Sequence, residues 1–471
     1  MNRMVYDKIS MSLITLLALF LLAGSVSAAP SEDWNRTFGG SGVDAFLSVQ
    51  ETADNGFVAA GYTNSYGAGE DEAWLVKTDR YGKEIWNKTF GGASSDRFLS
   101  VRRTSDGGFI LGGETYSSRG EGAWLLKTDE NGSEQWNRTF RGSRLVSVLQ
   151  TSDGGYAIAG GSGFLPASIL STIWLARTDA NGNELWNRSF KSGKGDRVNS
   201  LRQTLDGGYV VSGGYYSYFG FAAWIIKTDI DGNEQWSKTF PAKGCPEVSV
   251  PGARPVPPVI GNSMANDILQ TPEGGYIMAG YMDVYTDCSG TILQRDRRFL
   301  LMRMDENGTV QWERTFTGNY WDTAFSVLKI ADGRYLMSGE KCSIIPDKCS
   351  QWLGSKCIDG DVKCNAWLIG TDADGNEQWN RTFGETEFDA ASSIIRTSDG
   401  GYILAGVTIS HENVRNQAWL AKLKDEQDVT AFAGIQDEKP AQKVSGLGTA
   451  SITILLAAYT TARKMKQKGR K

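Results

Sequence analysis

Histidine chemistry is nearly absent from this chain: His411 is the only imidazole in 471 residues. A Ser-His-Asp site turns on a histidine, and zinc centres built on imidazole need several. Neither is easily assembled here, so no catalytic residue, metal or cofactor is expected. Carboxylates are plentiful. Asp44, Asp96, Asp196, Asp322 and Asp389 recur at one place in a repeat, eight residues before the end of its first strand. They either ring the mouth of a central channel or cap the link that leads into that strand. A paired-carboxylate glycoside hydrolase stays open, because the separation of the two groups decides it and a sequence does not supply separation. A second series, Asp-x-x-Gly at Asp79, Asp129, Asp179, Asp229, Asp305 and Asp372, has the look of calcium ligands. A calcium loop of twelve residues needs alternate oxygen donors and a closing glutamate, and these are missing. A hairpin turn with glycine at positive φ accounts for every copy.

The six cysteines all lie between Cys245 and Cys364. An even count in an exported chain points to disulfides. Cys245 and Cys288 are expected to pair. Cys342, Cys349, Cys357 and Cys364 should form two local bridges, with three pairings open; their spacings of 7, 8 and 7 lack the close pairs of a zinc site. Seven Asn-x-Ser/Thr sequons, at Asn35, Asn87, Asn131, Asn137, Asn187, Asn307 and Asn380, are glycosylation candidates. Five of them fall on one repeated strand, where alternation of side chains explains the pattern equally well.

The elements that carry these residues repeat. WN-x-[T/S]-F or a looser form begins at Trp34, Trp86, Trp136, Trp186, Trp236, Trp312 and Trp379, at spacings of 52, 50, 50, 50, 76 and 67. A related signature, AWLxKTD, carries Trp74, Trp124, Trp174, Trp224, Trp367 and Trp419. Thirteen of fifteen tryptophans thus sit at two repeat positions, which marks them as packing residues. A period near 50 residues with four strand candidates per copy, A to D, predicts a β-propeller. Tight glycine hairpins join A to B and C to D, so each copy is a four-stranded antiparallel blade. The last copy has no strand D; Trp34–Phe38 supplies it from the other end and closes a ring of seven blades. The expected fold is therefore all-β, a seven-bladed propeller over residues 32–424.

The blade order and the tryptophan-bearing strand D resemble kelch-type propellers. The C–D hairpin LxKTDxxGNExW is similar to the tryptophan-docking motif of quinoprotein propellers, although the adjacent cysteine pair often found there is absent. The full pattern, TSDGGYIxAG followed by AWLxKTDxxGNExWNRTFGG, is similar to archaeal cell-surface propeller-repeat proteins. That resemblance implies a fold and a location and says little about activity.

Both chain ends are hydrophobic. Arg3 and Lys8, an apolar run and Val26-Ser27-Ala28 read as a signal peptide over residues 1–28. Residues 425–443 read as a linker. Val444–Ala462 carries no charge and is followed by six basic residues, which predicts a transmembrane anchor with a cytoplasmic basic tail over residues 444–471. The expected location is the cell surface, with the C-terminus anchored in the cytoplasmic membrane. Net charge is −5, but the two ends together carry +7, so the body between them carries −12. An acidic body argues against nucleic acid as a partner.

Three insertions break the repeat: Pro241–Ala265, Asp283–Arg298 and Lys341–Asn365. All fall in D–A or B–C links, which share one face of a propeller. Tyr215, Tyr216, Tyr218, Phe219 and Phe221 in the fourth B–C link, with Tyr285 in the fifth, are the candidate ligand-binding residues. The expected role is a binding or cell-envelope protein whose partner is an extracellular protein or glycan. A propeller enzyme acting on glycans or of quinoprotein type, and a purely structural surface coat, are the alternatives.

Overall fold

The computed structural model describes residues 29–67, 69–116, 122–141, 144–161, 172–191, 196–217, 220–245, 259–287, 294–317, 321–330, 333–344, 352–353, 356–357, 362–384, 388–409 and 415–425. Seven four-stranded antiparallel sheets make up the propeller, each in the order A-B-C-D. The A strands are Asp44–Glu51, Asp96–Arg103, Arg144–Gln150, Arg197–Gln203, Ser263–Gln270, Asp322–Lys329 and Asp389–Arg396. Each packs against the next and the last against the first, so they form the innermost ring. Strand D of blade seven is Ser31–Phe38, paired in antiparallel register with strand C, Asn416–Lys424. The N-terminal strand therefore closes the ring, as the repeat phase predicts.

Blades bury both faces, which is why strand C is apolar on both sides. Val58 and Leu75 of blade one, for example, share a core cluster with Phe98, Leu111 and Trp124 of blade two. The strand D tryptophan does a second job. The Trp86 ring lies over the C–D turn of the next blade, where a Cβ on Gly132 would stand 2.7 Å from it. Gly132 is at φ 70°, so both the turn and the ring contact require glycine. The tight hairpins use their aspartates on backbone: Asp129 Oδ1 accepts from the N–H groups of Asn131 at 2.9 Å and Ser133 at 2.7 Å. The Asp-x-x-Gly series consists of turns, as its spacing suggests.

The A–B hairpins carry a buried cation. Lys127 of strand C is only 3% exposed, and its Nζ donates to Asp106 Oδ2 at 2.8 Å and to Thr128 O at 2.8 Å. Burial alone would raise the Asp106 pKa, but Lys127, the Thr104 hydroxyl and the Gly108 N–H outweigh it and bring it down to about 2. Asp54 in blade one is brought down to about 2 against the same burial effect, by Thr52, Lys77 and Gly56. A depressed folded pKa gives stability that is present above the unfolded value of about 4 and lost as pH falls toward 2. Asp106→Asn is therefore expected to be less stable than wild type at pH 7, with the difference closing between about pH 4 and pH 2. Urea midpoints across that range check it; a constant difference would refute it.

Where they are described, the B–C insertions continue strands B and C outward. In blade five strand B runs Tyr276–Asp287, and its residues beyond Met282 have no strand A partner, pairing with strand C alone up to Asp287 opposite Gln294. Blade six continues from Cys342 to Ile344 opposite Cys364 to Val362, and blade four from Tyr215 to Ser217 opposite Ala222 to Gly220. Part of the first insertion forms its own hairpin, Ala242–Cys245 with Val259–Gly261. The hydrogen bonds of these described segments go into ladders, which satisfies backbone that a loop would leave to water. No helix among the described residues is long and apolar enough to cross a membrane, and residues 1–28 and 444–471 lie outside the described residues.

Candidate functional site

The extended B–C hairpins of blades four, five and six are neighbours, and named side chains tie them together. Asn262 in the D–A link of blade five accepts from Phe221 N at 2.9 Å and donates through Nδ2 to Asp283 Oδ2 at 2.8 Å. Asp283, fully buried, also accepts from Arg297 Nε at 3.2 Å. The Arg297 guanidinium lies 3.8 Å from the Tyr281 ring centroid and 5.2 Å from that of Trp321. Arg297 and Trp321 form a parallel β-bridge, which joins strand C of blade five to the start of blade six. Cys364 and Phe388 repeat that bridge between blades six and seven. The result is a cross-braced rim with Trp321, 42% exposed, upon it.

The sequence-derived aromatics distribute unevenly over this rim. Tyr215 packs edge-on against Trp224 at 6.2 Å, as part of a core cluster. Phe221 is half-buried under the Arg197 guanidinium, 5.0 Å from its ring centroid. Tyr285 is half-buried on the blade five hairpin opposite Arg295. The Tyr216 side chain, Tyr218 and Phe219 lie outside the described residues. Trp321 was not among the candidates, yet its signal was present: with Trp352, it is one of only two tryptophans off the repeat positions.

The repeated aspartates are buried. Asp44 Oδ2 accepts from Gly40 N at 3.0 Å and Ser65 Oγ at 2.6 Å, and Oδ1 accepts from Thr63 Oγ1. Asp96 takes Gly92 N at 2.9 Å and Tyr116 N at 3.3 Å; Asp322 takes Cys342 N at 3.0 Å; Asp389 takes Thr408 Oγ1. Asp196 is 4% exposed. These carboxylates lock the D–A link to the end of strand B. Gly39 precedes the first at φ 125°, where a Cβ would meet Asp44 Oδ2 at 2.0 Å. Blade five has Ser263 at the aspartate's place, and Asp283 performs the capping from strand B, accepting from Asn262 N at 3.0 Å.

Cys342 and Cys364 are register partners on the blade six hairpin and form a disulfide. Of the three pairings open for the four local cysteines, this bridge belongs to the one that would join Cys349 to Cys357. Cys349 and Cys288, and the side chains of Cys245 and Cys357, lie outside the described residues. The strand D sequon asparagines follow a strand rule. Asn35 and Asn87 each donate to the glutamate three residues earlier, both at 2.5 Å, and Asn380 does so at 2.6 Å. Asn137 and Asn187 bond Glu134 and Glu184 in the same way. Asn131 and Asn307 are exposed on C–D turns.

Two polar features lie away from the rim. A groove of about 630 Å³ between the hairpins of blades two and three is lined by Asp106, Lys127, Gln135, Trp136 and Tyr156, but its lysine is already held by Asp106 and Gln135. The other is a ring at the A strands. After the bulge in each strand A stands Ser48, Ser100, Ser147, Ser200, Asp267, Ser326 or Ser393. Ser48 Oγ accepts from Val101 N of the next blade at 3.2 Å, so the ring stitches neighbouring A strands. Sequence reasoning passed over it as an apolar run; aligning the seven copies would have shown one polar position per blade.

No family model matches the chain, and no curated protein does. Solved structures resemble it at low identity. Sqt1 from Chaetomium thermophilum gives a TM-score of 0.44 at 10% identity, over 84% of this chain and 100% of that one. BBS1N, in its complex with ARL6DN, gives 0.42 at 8% identity, over 85% and 98%. A DUF4221 family member from Bacteroides vulgatus gives 0.33 at 10% identity, over 66% and 92%.

Proposed function

We propose that this is an exported, membrane-anchored propeller that binds an extracellular protein or glycan on the rim of blades four to six. A propeller fold of itself suits a binding or interaction role, since it sets loops on a rigid frame. The observation that carries the particular reading is the continuous bracing from Phe221 through Asn262, Asp283 and Arg297 to Trp321. A surface held in this way loses little entropy when it binds, and an exposed tryptophan backed by arginine offers a stacking face for a sugar ring or an apolar side chain. The kelch-like, archaeal character and the anchor at residues 444–471 belong to this reading, as do glycans on the outer strand D asparagines.

The test is binding of the purified chain to glycan and cell-envelope protein arrays, then the same with Trp321→Ala and with the blade five and six hairpins shortened to the lengths of blades one and two. Trp321→Ala is expected to weaken binding about tenfold or more, in the range of an aromatic hot spot, with unchanged thermal unfolding. Full affinity in every trimmed variant would move the site off this rim.

A further inference from the structure

The ring of A strands holds one charge too many. In blade five Asp267 replaces the ring serine, and it is 4% exposed. Its Oδ1 accepts from Ser200 Oγ at 2.7 Å, Arg202 Nη2 at 2.8 Å and Ile268 N at 2.9 Å. Its Oδ2 accepts from Ser326 Oγ at 3.2 Å and Val327 N at 3.1 Å. A carboxylate offers about four lone-pair sites, so this one is saturated. Arg202 accounts for its charge.

Arg102 occupies in blade two the position that Arg202 occupies in blade four, two residues after the ring serine. It has no carboxylate partner among the described residues. Of its five N–H donors, the described structure uses one, Nη1 to its own strand's Val101 O at 2.8 Å. Burial lowers its pKa to about 10; the like charge of Arg202 works in the same direction and only Asp267 opposes it. Beside it on the same face of the strand, Ser100 is 4% exposed and its Oγ has no hydrogen-bond partner. Arg102 is half-buried; a cation without a carboxylate beside a buried hydroxyl without a partner describes the complement of an anion.

We propose that the inner ring is an oxyanion site, in which Arg102 and the Ser100 hydroxyl hold a small phosphate, sulfate or carboxylate group. The planar guanidinium fork suits two oxygens of such a group, and the hydroxyl supplies a third donor. The Asp267 network fixes Arg202 and keeps it from collapsing onto the ligand. This site is separate from the rim and stands or falls independently of it.

Isothermal titration of the full-length chain, in a buffer free of oxyanions, with inorganic phosphate, sulfate and acetate in separate arms, tests it. The expected result is one saturable site per chain for at least one of the three; the preferred arm tells a tetrahedral oxyanion from a carboxylate. Arg102→Gln should weaken it at least about tenfold and Ser100→Ala by a smaller factor, while the rim-shortened variants keep it. Should Arg102→Gln not fold, Arg102→Lys, which keeps the charge and loses the fork, is expected to bind about tenfold less tightly. Absence of a saturable site in all three arms, or unchanged affinity in the arginine and serine variants that fold, overturns the proposal.

Discussion

Removal of Ser31–Phe38 is expected to lower the stability of the propeller by several kcal/mol and to shift its urea midpoint accordingly. The strand contributes a ladder to strand C of blade seven from Ser31 opposite Lys424 to Phe38 opposite Ala418. It also contributes two core side chains, Trp34 and Phe38, each 8% exposed, to a cluster with Phe46, Phe57, Trp74, Ile403 and Leu420. Trp34 further holds blade seven to blade one: its indole Nε1 donates to Arg80 O at 3.2 Å and its ring covers the Gly82 turn. On the other side Arg381 of blade six donates to Pro30 O at 2.7 Å. Trp34→Ala alone should cost about 3–5 kcal/mol, the usual range for a large aromatic removed from a core. A contrasting variant is Glu51→Ala. Glu51 accepts from Ser398 N and Ser398 Oγ, both at 2.8 Å, and so also joins blades one and seven, but at an exposed site. Its loss should cost about 1 kcal/mol or less. The deletion also bares the edge of Asn416–Lys424, so self-association in light scattering should accompany the lower midpoint. An unchanged midpoint after the deletion would show that the ring does not depend on its closing strand.

The fold was legible because the repeat wrote the same physics seven times. Tryptophans at two fixed places, glycine hairpins and a strand D missing at one end and present at the other leave little choice of architecture. Its rim was legible only in position. Asp283–Arg298 and Lys341–Asn365 look like loops because they interrupt the repeat; their described ends, as in Asp283-Val284-Tyr285, are continuing strands. Tyr215 looked like an exposed contact but turns onto Trp224. Trp321 looked like nothing, since no repeat places it. The repeated aspartates were open between channel and cap because sequence does not say which way a carboxylate turns. Gly39 before Asp44, Gly91 before Asp96 and Gly384 before Asp389, all at positive φ, show why the cap fits: the carboxylate folds back over a residue without a side chain. The charge on Arg102 was invisible for another reason. Whether an arginine is neutralised depends on how many donors its nearest carboxylate already serves.

The second large effect concerns Glu340. It lies on strand B of blade six, on the same face as Cys342, with Cys364 across the ladder, and the carboxylate and sulfur atoms of the three lie within 4.8 Å of one another. Burial raises its pKa to about 7; the Thr323 hydrogen bond and the Arg297 charge pull it down, and the Asp322 charge pushes it further up. For an acid with a raised folded pKa, the sign runs opposite to that of Asp106. Between the unfolded value near 4.3 and about 7, the folded chain binds a proton that the unfolded chain releases, so stability is greatest below about pH 4 and declines until about pH 7. Above that it stays level, with an ionised carboxylate held beside an apolar disulfide. Glu340→Gln keeps the shape and removes the titration. It is expected to match wild type near pH 4.5 and to exceed it at pH 8 by on the order of 2–3 kcal/mol, given 1.36 kcal/mol per pKa unit. Thr323→Val removes the hydrogen bond that favours the charged form, so it should move the decline to higher pH. Urea midpoints of the three proteins at several pH values decide the matter. Parallel wild-type and Glu340→Gln curves from pH 4.5 to pH 8 would mean that Glu340 reaches water and ionises normally, and that the rim around the disulfide is open to solvent.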